Sequence, residues 1–217
     1  MAALTICRGS RFVTSVSCLI LATATGALGQ TSNLVPPLRF NNEPWQSSRS
    51  FQWNDPTSPY LTRLRTEFKL DQVVAGRTSD YRRTQAVCHW VRGRWEHNGS
   101  NEPRRPDPIS ILQEATEGRQ FRCVEYAIVL SGALSSLGIP ARVVGLMTED
   151  AETRTSGAGH VVAEAYLPDR QRWIMCDGQW DVIPLLDGKP LSALGLQEAL
   201  ADRAPGLSVY SVAQTEP

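Results

Sequence analysis

Apolar residues recur three or four positions apart in two stretches of the chain, and this spacing predicts two amphipathic helices. The first helix begins at an N-cap at Asp80 and runs to about His97. The second covers residues 123–137, and Gly138 after it supplies the left-handed residue that ends many helices. The apolar face of the first helix carries Ala86, Val87, Trp90, Val91 and Trp95.

The rest of the pattern predicts strands that follow the helices. Three strands are expected at residues 141–147, 160–167 and 172–177, with a turn at residues 168–171. Further helices are expected at residues 108–116 and near 194–203. Residues 61–74 combine alternating apolar and polar positions with charged residues, so this pattern does not decide between a strand and a helix. Helices followed by an antiparallel meander indicate an α+β fold, with the helix of residues 123–137 packed on the sheet.

The first 29 residues have the layout of a secretory signal peptide. Arg8 and Arg11 precede an uncharged apolar stretch, and Ala27-Leu28-Gly29 offers a cleavage site before Gln30. The apolar stretch is short for a membrane span, although an uncleaved anchor is the alternative. We therefore expect an exported protein, secreted or periplasmic, that is not inserted in a membrane after cleavage.

Beyond the signal peptide we expect two regions. Residues 30–78 form an N-terminal arm. As far as Pro59 this arm is rich in Asn, Ser and Pro and shows no clear periodicity, so we expect it to be extended. Residues 79–217 form the domain. No internal repeat is visible.

Composition and charge exclude several classes of protein. The 41% of hydrophobic residues rule out a disordered chain, and the 16 Gly and 14 Pro show no collagen-like period. Lys plus Arg and Asp plus Glu number 22 each, so the chain has no net charge. Nucleic acid is therefore not an expected partner.

Signal cleavage would leave three cysteines: Cys88, Cys123 and Cys176. In an oxidising compartment an odd number of cysteines cannot all form disulfide bonds. Either one disulfide forms, for which Cys88 and Cys176 are the candidates, or none forms. Cys123 opens a helix, where free N–H groups and the helix dipole favour a thiolate. The alternative interpretation is that Cys123 is a small core residue.

The hairpin of the last two strands brings a histidine and an aspartate together. His160 starts one strand and Asp177 ends its partner. If Tyr166 faces Gln171, His160 lies directly opposite Asp177. If Leu167 faces Arg172 instead, His160 and Asp177 are diagonal neighbours. Either register puts both on one face, where the carboxylate can orient the imidazole, and a slip of one residue would separate them. A purely structural pair is the alternative.

These residues also resemble a known family. The stretches RCVEYAIVLSGALSSLGIPARVVGL, GHVVAEAYL and RWIMCDGQ resemble the transglutaminase-like superfamily, as does the upstream AVCHWVRGRWEH helix. The likeness extends over about residues 80–184, although Phe121-Arg122 stands where a glycine is common and Asp177-Gly178 replaces a frequent Asp-Pro. The resemblance implies a papain-like core with Cys123 as nucleophile, His160 as general base and acid, and Asp177 as the residue that orients it.

Such a triad implies thioester chemistry on a peptide or amide substrate without a cofactor. The backbone N–H of Cys123 and the side chain of Gln120 or Gln179 are candidates for stabilising the oxyanion, although both glutamines could be ordinary surface residues. Water or an amine would then open the thioester, and hydrolysis is the expected reaction for an exported enzyme. The alternative function is a non-catalytic binding module on the same scaffold.

Other candidate sites are weaker. Cys88, His89 and His97 do not predict a metal site, because no CxxC accompanies them and eight residues on a helix span too far for one tetrahedral ion. Glu125 is expected to cap its helix or to form an ion pair. Arg142 and Glu164 are expected to pair between neighbouring strands.

Overall fold

The computed structural model describes residues 53–211. The predicted signal peptide, the arm before Trp53 and residues 212–217 lie outside this range. Within residues 53–211, no helix is both long and apolar enough to cross a membrane.

Residues 53–211 contain six α-helices. They are α1 (Pro59–Glu67), α2 (Leu70–Val73), α3 (Asp80–Arg92), α4 (Pro108–Thr116), α5 (Cys123–Ser136) and α6 (Ala193–Ala201). Polar side chains at the N-cap positions start four of these helices by accepting a backbone N–H from the first turn. These residues are Ser58, Ser79, Asp107 and Ser192.

The strands of the described residues form two antiparallel sheets. The strands are β1 (Ala141–Met147), β2 (Gly159–Leu167), β3 (Arg172–Cys176), β4 (Ile183–Leu186), β5 (Lys189–Pro190) and β6 (Leu207–Tyr210). The first sheet has the order β1-β2-β3 and the second has the order β5-β4-β6. Helix α5 packs against β1 and β2, as predicted for the helix that carries Cys123. The fold is therefore of the α+β class.

The interior lies between α5 and the first sheet. Small residues of β2, Ala163 and Ala165, are fully buried there beside Leu130 and Leu134 of α5. Gly138 follows α5 with a φ of +80°, as its predicted role in ending the helix requires. This packing places α5 against β2, the strand that carries His160.

Helix α3 differs from its predicted bounds. Its N-cap is Ser79, whose hydroxyl accepts the backbone N–H of Arg82 at 3.3 Å, and the helix ends at Arg92 instead of continuing to His97. Trp95 is nevertheless buried, because its ring packs against Tyr126 with 4.5 Å between the centroids. Trp95 is therefore buried by its contact with Tyr126 and not as part of the apolar face of α3.

The described part of the predicted arm is not an extended segment throughout. Helices α1 and α2 lie within it, and Leu61, Leu64 and Leu70 are buried in the main core. The two helices show that residues 61–74 are helical, which decides between the two predicted possibilities of strand and helix. The second sheet, which follows the predicted meander, was not predicted from the sequence.

Candidate active site

Cys123 is the first residue of α5 and is partly exposed. The chain is extended at Arg122, with φ −78° and ψ 176°, so the helix begins abruptly at the cysteine. Glu125 stabilises this start: its buried carboxylate accepts the backbone N–H of Arg122 at 3.1 Å and binds the Arg122 guanidinium at 2.8 Å. Glu125 thus has the capping and pairing role expected for it, and the thiol sits at the positive end of the helix dipole.

The register of β2 and β3 decides between the two predicted arrangements of the hairpin. Leu167 pairs with Arg172, and Ala163 pairs with Cys176. Continued by one residue, this register places Asp177 opposite Val162 and His160 on the diagonal. The side chains meet, with Nε2 of His160 2.6 Å from Oδ2 of Asp177.

The Asp177 carboxylate is held by its own turn as well as by the histidine. Its side chain is 6% exposed, and Oδ1 accepts the backbone N–H groups of Gln179 at 2.9 Å and Trp180 at 3.2 Å. The turn closes with a bridge between the backbones of Asp177 and Val182. These hydrogen bonds hold the carboxylate in position independently of the imidazole, and they leave Oδ2 to contact the ring.

The electrostatic surroundings of His160 favour the charged imidazole. The hydrogen bond to Asp177, opposed by partial burial and assisted by Cys123, raises the pKa of His160 from 6.5 to about 9. Cys123 is thus one of the groups that raise the pKa of His160. Because Nε2 is engaged with Asp177, Nδ1 is the ring nitrogen left for the sulfur.

Two neighbouring residues of α3 hold the turn that carries Asp177, a role that the sequence pattern does not indicate. The Cys88 thiol donates to the backbone carbonyl oxygen of Asp177 at 3.3 Å. His89 Nδ1 lies 2.8 Å from Oδ2 of Asp181, which has a left-handed backbone with φ +53°. Both ends of the turn are thereby attached to one helix. The adjacency of a cysteine and a histidine was the only sequence signal.

The two glutamines proposed for the oxyanion differ in their surroundings. Gln120 is exposed, and its backbone carbonyl accepts a hydrogen bond from Nδ2 of Asn101 at 2.9 Å. Gln179 is 7% exposed, and its Oε1 is buried without a hydrogen-bond partner among the described residues. Gln179 is also part of the Asp177 turn. It is therefore not an ordinary surface residue.

The other cysteines are buried thiols. Cys88, Cys123 and Cys176 are all free, so the candidate pair Cys88 and Cys176 is not joined in this structure. Burial raises the pKa of the Cys88 and Cys176 thiols well above their ordinary value. Within residues 53–211, no three acidic, histidine or cysteine side chains are grouped as metal ligands would be.

The predicted pair of Arg142 and Glu164 links the sheet to the C-terminal region. The two residues are directly opposite in β1 and β2, and their side chains approach to 2.7 Å. The Glu164 carboxylate is 3% exposed and also accepts the backbone N–H of Ala193 at 2.8 Å, at the start of α6. The pair therefore braces β2, the strand that carries His160.

Similar solved structures share only low sequence identity with this chain. A proposed cysteine protease from Cytophaga hutchinsonii is 15% identical, with a TM-score of 0.44, and the match covers 69% of this chain and 47% of that one. The periplasmic domain of TgpA from Pseudomonas aeruginosa is 19% identical, with a TM-score of 0.41, over 57% of this chain and 43% of that one. This chain thus spans less than half of each. No curated protein matches it.

The family assignment comes from the sequence itself. The pattern that describes the core of the transglutaminase-like superfamily matches residues 69–178, about half of the chain. The matched region runs from the residue before α2 to the turn after β3, and it includes Cys123, His160 and Asp177. The chain belongs to the transglutaminase-like superfamily.

Proposed function

We propose that this protein is a cysteine-dependent enzyme that forms a thioester on Cys123 with the acyl group of a peptide or amide substrate. The observation that carries this proposal is the 2.6 Å contact between His160 and Asp177, together with a cysteine at the start of α5, the helix that packs against the strand of His160. A carboxylate in this position holds the imidazole in the tautomer and orientation that a nucleophilic thiol needs.

In the proposed first step, the resting site holds a Cys123 thiolate beside a protonated His160. Sγ of Cys123 attacks the carbonyl carbon, a C–S bond forms, and the C=O electron pair moves onto oxygen. When this intermediate collapses, the C–N bond breaks, and the proton on Nδ1 of His160 passes to the departing amine. The products of this step are a thioester, a free amine and a neutral imidazole.

In the second step, the neutral imidazole acts as a base. It takes a proton from water or from an incoming amine, whose oxygen or nitrogen attacks the thioester carbon. The C–S bond breaks, and the thiolate and the imidazolium are restored. Water as acceptor gives hydrolysis, and an amine gives transamidation. Hydrolysis is the reaction that we propose, because an exported enzyme works in an excess of water.

The developing oxyanion needs hydrogen-bond donors that are already in place. The backbone N–H of Cys123 is one candidate, since the first N–H groups of a helix have no partner within it. Gln120 and Gln179 are the candidates for a second donor. Gln120 is exposed, whereas Gln179 is buried in the Asp177 turn, which it joins through its backbone N–H. The chemistry requires no metal or cofactor.

We also propose that the protein acts outside the cytoplasm, after removal of residues 1–29 as a signal peptide. The sequence layout of Arg8, Arg11, the apolar stretch and Ala27-Leu28-Gly29 supports this proposal. Mass spectrometry of the protein expressed in an exporting host tests it. A mature N-terminus at about Gln30 is expected, and an intact N-terminus would contradict it.

Acyl transfer from an activated ester tests the proposed function without knowledge of the natural substrate. We expect p-nitrophenyl acetate to add one acetyl group to Cys123, detected by intact mass and peptide mapping, and hydroxylamine to remove it. Acetylation should be lost in Cys123→Ala and retained in Cys176→Ala, a matched change of a buried thiol. Acetyl groups elsewhere on the chain, or equal labelling of Cys123→Ala, would contradict the proposal.

The fate of the acetyl group decides between the two reactions. The acetyl-enzyme is mixed with a primary amine such as glycinamide, and the products are quantified. Acetate as the main product supports hydrolysis, whereas N-acetylglycinamide as the main product would replace hydrolysis by transamidation.

A further inference from the structure

A groove outside the triad lies between the end of α2, helix α3 and the end of β6. It has a volume of about 750 Å³, and its polar lining includes Arg77, Arg82, Gln85, His89 and Arg94. Cys123, His160 and Asp177 do not line it. The groove is therefore a separate feature, and the proposed reaction does not account for it.

The charged residues in the lining of this groove are all basic. Arg77, Arg82 and Arg94 make no ion pair with any of residues 53–211. Neighbouring arginines of the same region are paired, since Arg83 binds Asp80 at 2.8 Å and Arg92 binds Glu96 at 3.2 Å. Positive charges that share a groove without a carboxylate repel one another, and an anionic ligand relieves this repulsion.

Local contacts orient two of these guanidinium groups. Arg94 donates to the backbone carbonyl of Trp90 at 3.0 Å and lies 4.8 Å from the centre of the Trp90 ring. Arg82 donates to Oε1 of Gln85 at 3.4 Å. Arginine held in this way keeps further N–H groups for a ligand, and its planar fork matches a carboxylate.

The remaining lining favours a peptide over a small inorganic anion. Val73, Ala86, Trp90 and Tyr210 give the groove apolar and aromatic surface between the cationic groups. This mixture suits a chain that carries carboxylates on a partly apolar backbone. Nucleic acid is disfavoured, because the sequence has no net positive charge that would extend the basic surface.

The groove is connected to the proposed catalytic centre through His89. This residue lines the groove and contacts Asp181, which belongs to the turn that begins at Asp177. A ligand that contacts His89 therefore lies one side chain away from the turn that orients His160.

We propose that this groove binds a carboxylate-rich peptide segment, and that the segment belongs to the substrate whose acyl group Cys123 receives. The second part rests on the proposed function. The first part stands on the groove alone, so that binding can be measured without catalysis. Arg77, Arg82 and Arg94 would contact the carboxylates, and Trp90 and Tyr210 would contact the apolar parts of the peptide.

The test uses the full mature chain as Cys123→Ala and a fluorescein-labelled hexaglutamate peptide, with fluorescence anisotropy as the readout. We expect saturable binding that weakens with salt and is absent for a hexaglutamine peptide of equal length. Changing Arg82→Gln and Arg94→Gln together should weaken binding by at least about tenfold, which is roughly the loss of one or two charge-assisted hydrogen bonds.

The matched control is Arg172→Gln, which removes a positive charge outside the groove that is also unpaired among residues 53–211. Equal weakening by this control, or equal binding of hexaglutamine, would overturn the proposal. Tighter binding of a single-stranded DNA probe through Arg82 and Arg94 would overturn it in favour of nucleic acid. If the peptide does not bind but Cys123 is acetylated normally, the proposed function stands and the groove proposal fails. If the peptide binds but Cys123 is not acetylated, peptide binding in the groove stands and the proposed function fails.

Discussion

His160 Nε2 lies 2.6 Å from Oδ2 of Asp177, and this contact determines which ring nitrogen is available to the thiol. An ionised carboxylate accepts hydrogen bonds only, so Nε2 carries the proton in this contact. In the proposed mechanism, Nδ1 is then the nitrogen that exchanges a proton with Cys123 or with a leaving group. The second carboxylate oxygen is occupied by the backbone N–H groups of Gln179 and Trp180, so the aspartate has little freedom to turn away.

Asp177→Asn tests the importance of this tautomer. The Asn Oδ1 can still accept the two backbone N–H groups, which leaves the amide NH₂ facing the ring and favours the tautomer protonated on Nδ1. We expect acetylation of Cys123 to slow by roughly 10³–10⁴-fold, as removal of the orienting carboxylate does in related triads. The measurement is the pre-steady-state rate with p-nitrophenyl acetate. Asp107→Asn, which changes a hydrogen-bonded carboxylate at the start of α4, is the matched control, and a loss of less than about tenfold in Asp177→Asn would contradict the account.

The raised pKa of His160 also predicts how stability depends on pH. The folded pKa of about 9 lies above the ordinary value of 6.5, so the folded state binds the proton more tightly. This contribution to stability is fully present below about pH 6.5 and is lost as the pH rises through about 9. The difference in unfolding free energy between wild type and Asp177→Asn should therefore shrink from pH 6 to pH 10 in urea titrations. A difference that stays constant or grows would contradict the assigned contact.

Arg142→Ala tests the brace between the sheet and α6. The substitution leaves the buried Glu164 carboxylate without its arginine, although the hydrogen bond from Ala193 remains. We expect a loss of roughly 1–3 kcal/mol in the free energy of unfolding, measured by urea denaturation. The control is Arg154→Ala, which breaks an exposed pair with Asp150 and should cost clearly less stability. Equal losses in the two variants would argue against a stabilising role for the buried pair.

Local signals made much of the fold predictable from the sequence. Asp107 and Pro108 define the start of α4, and its bounds match the prediction. The bounds of β1 also match, because Pro140 and the polar loop after Met147 delimit its apolar run. The shared face of His160 and Asp177 followed from the two-residue period of strands, which allowed only two registers for a tight turn.

Contacts between distant residues could not be predicted in the same way. Trp95 continued the helical spacing of α3, but Tyr126, 31 positions later, accounts for its burial. The contact between Cys88 and Asp177 joins residues 89 positions apart, and no local pattern indicates it. The groove of arginines is also a tertiary feature, because Arg77 and Arg94 line it together with Tyr210 of β6, which is far from both in the sequence.

The most direct test of the central claim is alkylation of the mature protein by iodoacetamide at a series of pH values, with each cysteine followed by mass spectrometry. The buried thiols of Cys88 and Cys176 serve as internal references, and His97→Ala is the control for His160→Ala, since His97 is exposed and does not hold the Asp177 turn. We predict rapid alkylation of Cys123 at about pH 6, where an ordinary thiol with a pKa near 8.5 reacts slowly. This reaction should slow at least about tenfold in His160→Ala and little in His97→Ala. Alkylation of Cys123 only above about pH 8, at the same rate in His160→Ala, would contradict a working triad and favour a non-catalytic module.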